Sequence, residues 1–153
     1  MLIPERESWT AALAAADPSR IATLADAISA RGTVEALAPL REGLMLLQLR
    51  DSVAGSRFHL GEMPVAAVHL RLTENGHSAE GGAMLMSDDI ERTTQLAILD
   101  AALVGGWPET DQIAELLADG MAARAQIDAE RALVLDRTRV DFQLLSEADD
   151  GND

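Results

Sequence analysis

The spacing of hydrophobic and polar positions changes twice along this chain. From residue 5 to about residue 32, apolar side chains recur every three or four positions, which is typical of amphipathic helices. Between residues 33 and 86 apolar and polar positions alternate, which predicts β-strands. Helical spacing returns from residue 88 to residue 137. The pattern therefore predicts helices, then a group of strands, then helices again.

The first helical stretch carries internal start and stop signals. A short helix is predicted over residues 5–16. Asp17 followed by Pro18 marks the start of a second helix, because Asp accepts hydrogen bonds from free backbone N–H groups and Pro has no N–H to satisfy. Gly32 is well placed to end this helix. We therefore expect an N-terminal helical hairpin.

The alternating region divides into four or five strands. Clusters of Gly, Pro, Asn, Asp and Ser separate the apolar runs and favour turns. Because the connections are short, successive strands should pair antiparallel as a meander. The predicted strands are residues 43–50, 57–61, 65–73 and 78–86, with a possible edge strand at 33–40.

Two helices are predicted after the strands. The first, at residues 88–104, has an acidic first turn that suits the positive end of a helix dipole. Gly105 and Gly106 should end it. A long helix follows at about residues 109–137. Both helices are expected to pack on the sheet.

Together these elements predict a single α+β domain over residues 1–145. Apolar residues make up 48% of the chain, enough for a core, but only two Phe and two Trp occur and there is no Tyr. The core should therefore be aliphatic. The last residues, 146–153, are small and acidic, which predicts a disordered tail.

Charge and cysteine content exclude several classes of function. Twelve basic and 26 acidic residues give a net charge of −14, so neither a nucleic-acid partner nor a membrane partner is expected. The chain has no cysteine, which excludes disulfides and thiolate ligands to zinc or to an iron–sulfur cluster on this chain. No targeting signal or long apolar run is found, so we expect a cytoplasmic protein.

Candidate chemistry is concentrated on one predicted sheet face. Alternation directs His69 and Arg71 outward from one strand, and Arg57 and His59 outward from another. The apolar residues between them should face the core; these are Ala66, Val68, Leu70 and Leu72 in the first strand and Phe58 and Leu60 in the second. A turn at residues 62–64 would place Arg57 opposite His69. These four side chains would then form a positive patch on an acidic protein.

Three interpretations of the patch remain open. The histidines could begin a metal site, although a third ligand is missing and neighbouring Arg side chains oppose a cation. The patch could bind a small anion such as phosphate, which Arg suits well. It could also be an ordinary polar face, exposed or covered by a partner. No phosphate-binding loop, nucleophile elbow or carboxylate pair is recognised, so no catalytic, cofactor-binding or metal-binding residue is predicted.

The segment TRVDFQLL, just before the acidic end, is a second candidate. Val140 and Phe142 alternate with Arg139 and Asp141, which predicts a short extended arm. This arm could fold back on the domain or dock on a neighbouring chain.

Four segments occur in order along the chain: ESW…AALAAADPSRIATLAD, FHLGEMPVAAVHLRL, SDDIERTTQLAILDAAL and TRVDF. Together they resemble the PhnG family, the G subunit of the bacterial carbon–phosphorus lyase system. The resemblance covers essentially the whole chain. It departs from the family where Gln143 replaces a frequent aromatic residue and where Met86, Ser87 and Asp88 replace a frequent G-R-D turn.

The resemblance implies an accessory subunit of a core complex with PhnH, PhnI and PhnJ, in which PhnI is the direct partner. That complex transfers a phosphonate to the ribose C1 of MgATP and displaces adenine. It implies S-adenosylmethionine and an iron–sulfur cluster on another subunit, and no cofactor on this chain. Two alternatives remain, an independent protein that binds small anions at the Arg/His patch and a homodimeric interaction module.

Overall fold

The computed structural model describes residues 3–138, and within that range it is α+β, as predicted. A 3-10 turn, Arg6–Ser8, precedes helices α1 (Trp9–Ala15) and α2 (Pro18–Ser29). The strands are β1 (Thr33–Ala36), β2 (Arg41–Arg50), β3 (Arg57–Glu74) and β4 (His77–Leu85). Helices α3 (Ile90–Gly105) and α4 (Thr110–Arg137) follow.

The N-terminal hairpin forms at the predicted cap. The carboxylate of Asp17 accepts hydrogen bonds from the backbone N–H groups of Ser19, at 2.8 Å, and Arg20, at 3.3 Å. A hydrogen bond from the Ser19 hydroxyl, together with these two backbone bonds, lowers the pKa of Asp17. Because Pro18 occupies the first helical position, α2 begins where the sequence indicates.

Strand β3 organises the sheet because every other strand pairs with it, always antiparallel. Its C-terminal half pairs with β4 on one edge and with β1 on the other. Residues 57–65, in its N-terminal half, pair only with β2. The sheet is therefore three strands wide at one end and narrows to a two-stranded ribbon, residues 43–50 and 57–65, which we call the β-arm.

The predicted turn at residues 62–64 is wrong, because β3 runs through it without a break. Two features explain the continuity. Gly61 adopts a φ of 147°, which accommodates a β-bulge opposite Leu47 and Gln48. Pro64 has no backbone N–H to donate. Within the described residues, β2 is the only strand that pairs with β3 at this point, so the opposite edge of β3 requires no donor here.

The core lies between one face of the sheet and the helices. Ala66, Val68, Leu70 and Leu72 are buried on that face, as alternation predicts. Helix α3 lies across β3 and β4, whereas α4 packs mainly on α1. Gly81 of β4 touches the α3 backbone so closely that a Cβ would collide with it. This close approach fixes the separation of helix and sheet.

The ends of α3 also follow the sequence signals. The Asp89 side chain accepts a hydrogen bond from the Arg92 backbone N–H at 2.8 Å, which caps the N-terminus. Gly106 has a left-handed φ of 68° at the C-terminus. A residue with a side chain would be strained there. Helix α3 is therefore set at both ends by local chemistry.

Candidate functional site

The predicted Arg/His patch is divided between two distant parts of β3. Arg57 pairs with Arg50 rather than with His69, so the predicted register is wrong. His59 and His69 lie ten positions apart on one strand, which is about 33 Å at the rise of a β-strand. Arg57, His59, His69 and Arg71 therefore do not meet in one site, and their proposed roles divide into two regions.

Arg57 and His59 lie near the tip of the β-arm. Arg50 and Arg57 face each other directly across the two strands, and neither forms an ion pair with another described residue. The Asp51 carboxylate accepts hydrogen bonds from the Val53 and Ala54 backbone N–H groups at 3.0 and 2.8 Å, which lowers its pKa. The tip therefore presents two like charges in direct opposition, an arrangement that is normally unfavourable.

His69 and Arg71 lie on the outer face of the sheet, where carboxylates surround them. Arg71 donates to the Glu80 carboxylate at 2.7 Å, and Glu35 lies 3.7 Å from the same guanidinium. His69 Nε2 is 3.4 Å from Glu80. The hydrogen bond raises the pKa of Arg71 and lowers that of Glu80. A small anion would have to compete with these carboxylates for the same cations.

A buried acidic group that sequence reasoning missed lies beside this cluster. Asp100, near the middle of α3, is only 5% exposed. Arg6 contacts it with two nitrogens, at 2.6 and 3.1 Å, and the Gly82 backbone N–H donates to it at 2.9 Å. The hydrogen bond to Asp100 raises the pKa of Arg6. These bonds join the N-terminal turn, β4 and α3.

A cavity of about 290 Å³ opens between the two clusters. Its polar lining combines cations with carboxylates that already neutralise them, so the site resembles a structural ion-pair network more than an active site. The sequence did carry one signal, an Asp inside the apolar run AILDAAL. The lining residues are Arg6, Thr10, His69, Glu80, Gly81, Gly82 and Asp100.

A second polar cluster lies at the end of the sheet that is opposite the β-arm. Arg31 contacts Glu74 at 3.2 Å and Glu109 at 2.7 Å, and both bonds raise the pKa of Arg31. Trp107 Nε1 donates to the other oxygen of Glu74 at 2.7 Å. The His77 ring contacts the Trp107 ring in a tilted arrangement, with a centroid distance of 4.6 Å and an interplanar angle of 39°. The cluster connects the ends of α2 and β3 to the start of α4.

The β-arm exposes side chains that the sequence places in the core. Phe58 and Leu60 are 44% and 64% exposed, so their predicted burial is wrong. Leu44 on the facing strand is 67% exposed. They are exposed because no helix lies over this end of the sheet within residues 3–138. The second half of α4 is similarly uncovered at Leu133, Val134 and Leu135.

Some predictions cannot be compared with the structure. Arg139, Val140, Asp141 and Phe142, the predicted docking arm, lie outside the described residues, as does the predicted acidic tail at 146–153. Over residues 3–138, no three His, Asp or Glu side chains are arranged to hold a metal ion. In the same range, no helix has the length and apolar character needed to cross a membrane.

Comparison with known proteins gives one family. The sequence model of the family described as phosphonate metabolism protein PhnG matches residues 4–146, nearly the whole chain. No curated protein gives a significant match.

Proposed function

The chain belongs to the PhnG family of phosphonate metabolism proteins, and on this premise we propose that it is an accessory subunit of a carbon–phosphorus lyase core complex. Membership of the family gives it a role in phosphonate metabolism. The accessory role and the partners are the proposal. It includes PhnI as the direct partner, PhnH and PhnJ as further subunits, and the cytoplasm as the location.

The observation that carries the proposal is the uncovered β-arm. A two-stranded ribbon is at best marginally stable in water unless its apolar face is covered. Large exposed apolar areas on soluble proteins mark sites of association. In contrast, the two polar clusters of the body are already paired internally. The surface of this chain is therefore better suited to binding a protein than to converting a substrate.

The reaction proposed for the complex joins a phosphonate to the ribose C1 of MgATP and displaces adenine. The accessory subunit would support this reaction without contributing catalytic groups. S-adenosylmethionine and an iron–sulfur cluster would belong to another subunit. The absence of cysteine supports that division, because this chain has no thiolate for a cluster.

The test is reconstitution with PhnH, PhnI and PhnJ from the same source. We expect the chain to co-purify with PhnI in equal amounts, as measured by size-exclusion chromatography with light scattering. We also expect it to increase adenine release from MgATP and a small alkylphosphonate at least tenfold over PhnI alone. A chain that neither binds PhnI nor changes adenine release would contradict the proposal.

A second candidate function is small-anion binding at the cavity beside His69, which the cavity's Arg6 and His69 lining favours. Thermal unfolding of the isolated chain with phosphate or methylphosphonate tests it. Stabilisation that His69→Ala removes would support this function. A melting temperature that neither ligand changes would exclude this function.

A further inference from the structure

We propose that the β-arm inserts into an apolar groove of a partner subunit, and that carboxylates of that groove pair with Arg50 and Arg57. The inference rests on the proposed function, since it names the surface through which the accessory subunit binds. The chain that covers the β-arm is a different protein, not a second copy of this one.

The faces of the β-arm have different chemistry. One face continues the outer face of the sheet and is apolar over its length. The opposite face is apolar near the base, at Leu44 and Leu46, and polar near the tip, where His59 contacts Gln48 at 3.3 Å. The apolar face carries Met45, Leu47, Leu49, Phe58 and Met63.

The size of the β-arm favours enclosure over simple stacking. Eight residue pairs of a two-stranded ribbon present about 250 Å² on each face. A stable interface buries about 800 Å² per partner, so stacking on one face is insufficient. A groove that covers both faces and both edges would bury about 1000 Å² by the same geometry. The edges also offer unpaired backbone groups, because β2 is the only described strand beside residues 57–65.

Charge at the tip specifies the chemistry of the groove. Arg50 and Arg57 oppose each other, and no described carboxylate pairs with either. The nearest acidic residue in sequence, Asp51, is held by its own turn. Like charges in direct opposition are unfavourable unless an anion lies between them. Carboxylates of the partner would supply that anion and form charge-assisted hydrogen bonds.

A second copy of this chain does not fit these requirements. Two copies would bring together net charges of −14 each. On the described residues, the grooves between α2 and α4 and between α1 and α4 have volumes of about 420 and 430 Å³. Grooves of this size accept a side chain, not a ribbon two strands wide. We therefore assign the acceptor groove to a different protein chain.

The second half of α4 lies toward the end of the body from which the β-arm extends. Leu85 of β4 pairs with Ala66 where the β-arm begins, and α3 starts just after. Arg92 in the first turn of α3 donates to the Ala14 carbonyl at 2.6 Å. Ile127 of α4 lines a groove with Ala14. A partner that encloses the β-arm can therefore also cover the exposed apolar residues near the end of α4, among them Leu133, Val134 and Leu135.

The first variant tests the apolar face. Leu49→Ser combined with Phe58→Ser replaces two exposed apolar side chains of paired strands with uncharged polar ones. We expect the affinity for the PhnI-containing complex, measured by calorimetry, to fall at least 100-fold. The melting temperature of the isolated chain should change little. The matched control is Val104→Ser, at an equally exposed apolar residue on α3, and this variant should bind normally.

The second variant tests the charge. Arg50→Glu combined with Arg57→Glu should weaken binding at least tenfold in low salt, and a smaller loss is expected in 0.5 M salt because the contact is ionic. Normal binding by both double variants would overturn the inference while the proposed function stands. If the unaltered chain does not bind the complex at all, both fail.

Two further outcomes would each overturn the inference, because each would mean that something other than the proposed partner covers the β-arm. One is a dimer of the isolated chain, seen by light scattering, that the Leu49 and Phe58 double variant converts to monomer. The other is faster amide exchange over residues 43–65 when residues 139–153 are deleted, because that would mean the chain's own C-terminal segment covers the β-arm.

Discussion

The two halves of β3 share one backbone and one alternating pattern but have opposite environments. In residues 66–72 every second side chain is buried beneath α3, for example Leu70 and Leu72. In residues 57–65 the apolar side chains, for example Leu60, are exposed. The strand pattern alone therefore does not determine burial. What matters is whether another element lies across the strand, and here α3 covers only one half.

The largest expected difference between the halves comes from removing one Leu side chain from each. Leu70→Ala should destabilise the protein by about 2–5 kcal/mol, because it leaves a cavity in a packed core. Leu60→Ala should cost less than about 0.5 kcal/mol, because its side chain is already in water. Urea unfolding of the two variants measures both values. Equal losses would contradict the division of β3 into a body and an arm.

A smaller effect is expected from the ion pair that holds the body together. Asp100→Asn removes the negative charge that Arg6 and the Gly82 N–H contact. We expect a loss of about 1–3 kcal/mol, reduced because Arg6 is partly exposed. Urea unfolding gives the value, and Asp119→Asn, in an exposed pair with Arg20, is the control with almost no effect. Indistinguishable stabilities would show that this network contributes little.

The smallest effect concerns pH and the exposed pair on the outer face of the sheet. Glu80 has a pKa below its ordinary value because Arg71 binds its charged form. Its contribution to stability is therefore present above its ordinary pKa of 4.5 and is lost as the pH falls through the lower folded value. Glu80→Gln should remove this part of the acid dependence. Thermal melts between pH 3 and pH 7 measure it, and an unchanged pH profile would contradict it.

The structural features that could be predicted from the sequence are those that depend on residues adjacent in the chain. The Asp17–Pro18 start of α2 and the Gly106 end of α3 are local capping chemistry, so they could be recognised directly. The continuity of β3 could not, because Gly61 and Pro64 carry turn signals that pairing with β2 overrides. This error also produced the wrong register of Arg57 and His69.

The candidate site was less predictable than the fold for a related reason. Arg6 and Asp100 are 94 positions apart, and nothing in either segment indicates that they meet. The exposure of Phe58 was also hidden, because alternation shows which side chains share a face but not what covers that face. The roles proposed for Arg139, Val140, Asp141 and Phe142 stay predictions.

The continuity of β3 has a mechanical consequence. A single strand belongs to both the β-arm and the body, with no loop between them. A partner that covers and orders the β-arm would therefore also set the orientation of the body. The bulge at Gly61 bends the strand inside the β-arm and contributes to that orientation. We expect replacement of this one glycine to change how the body is oriented in an assembly without altering any contact in its core.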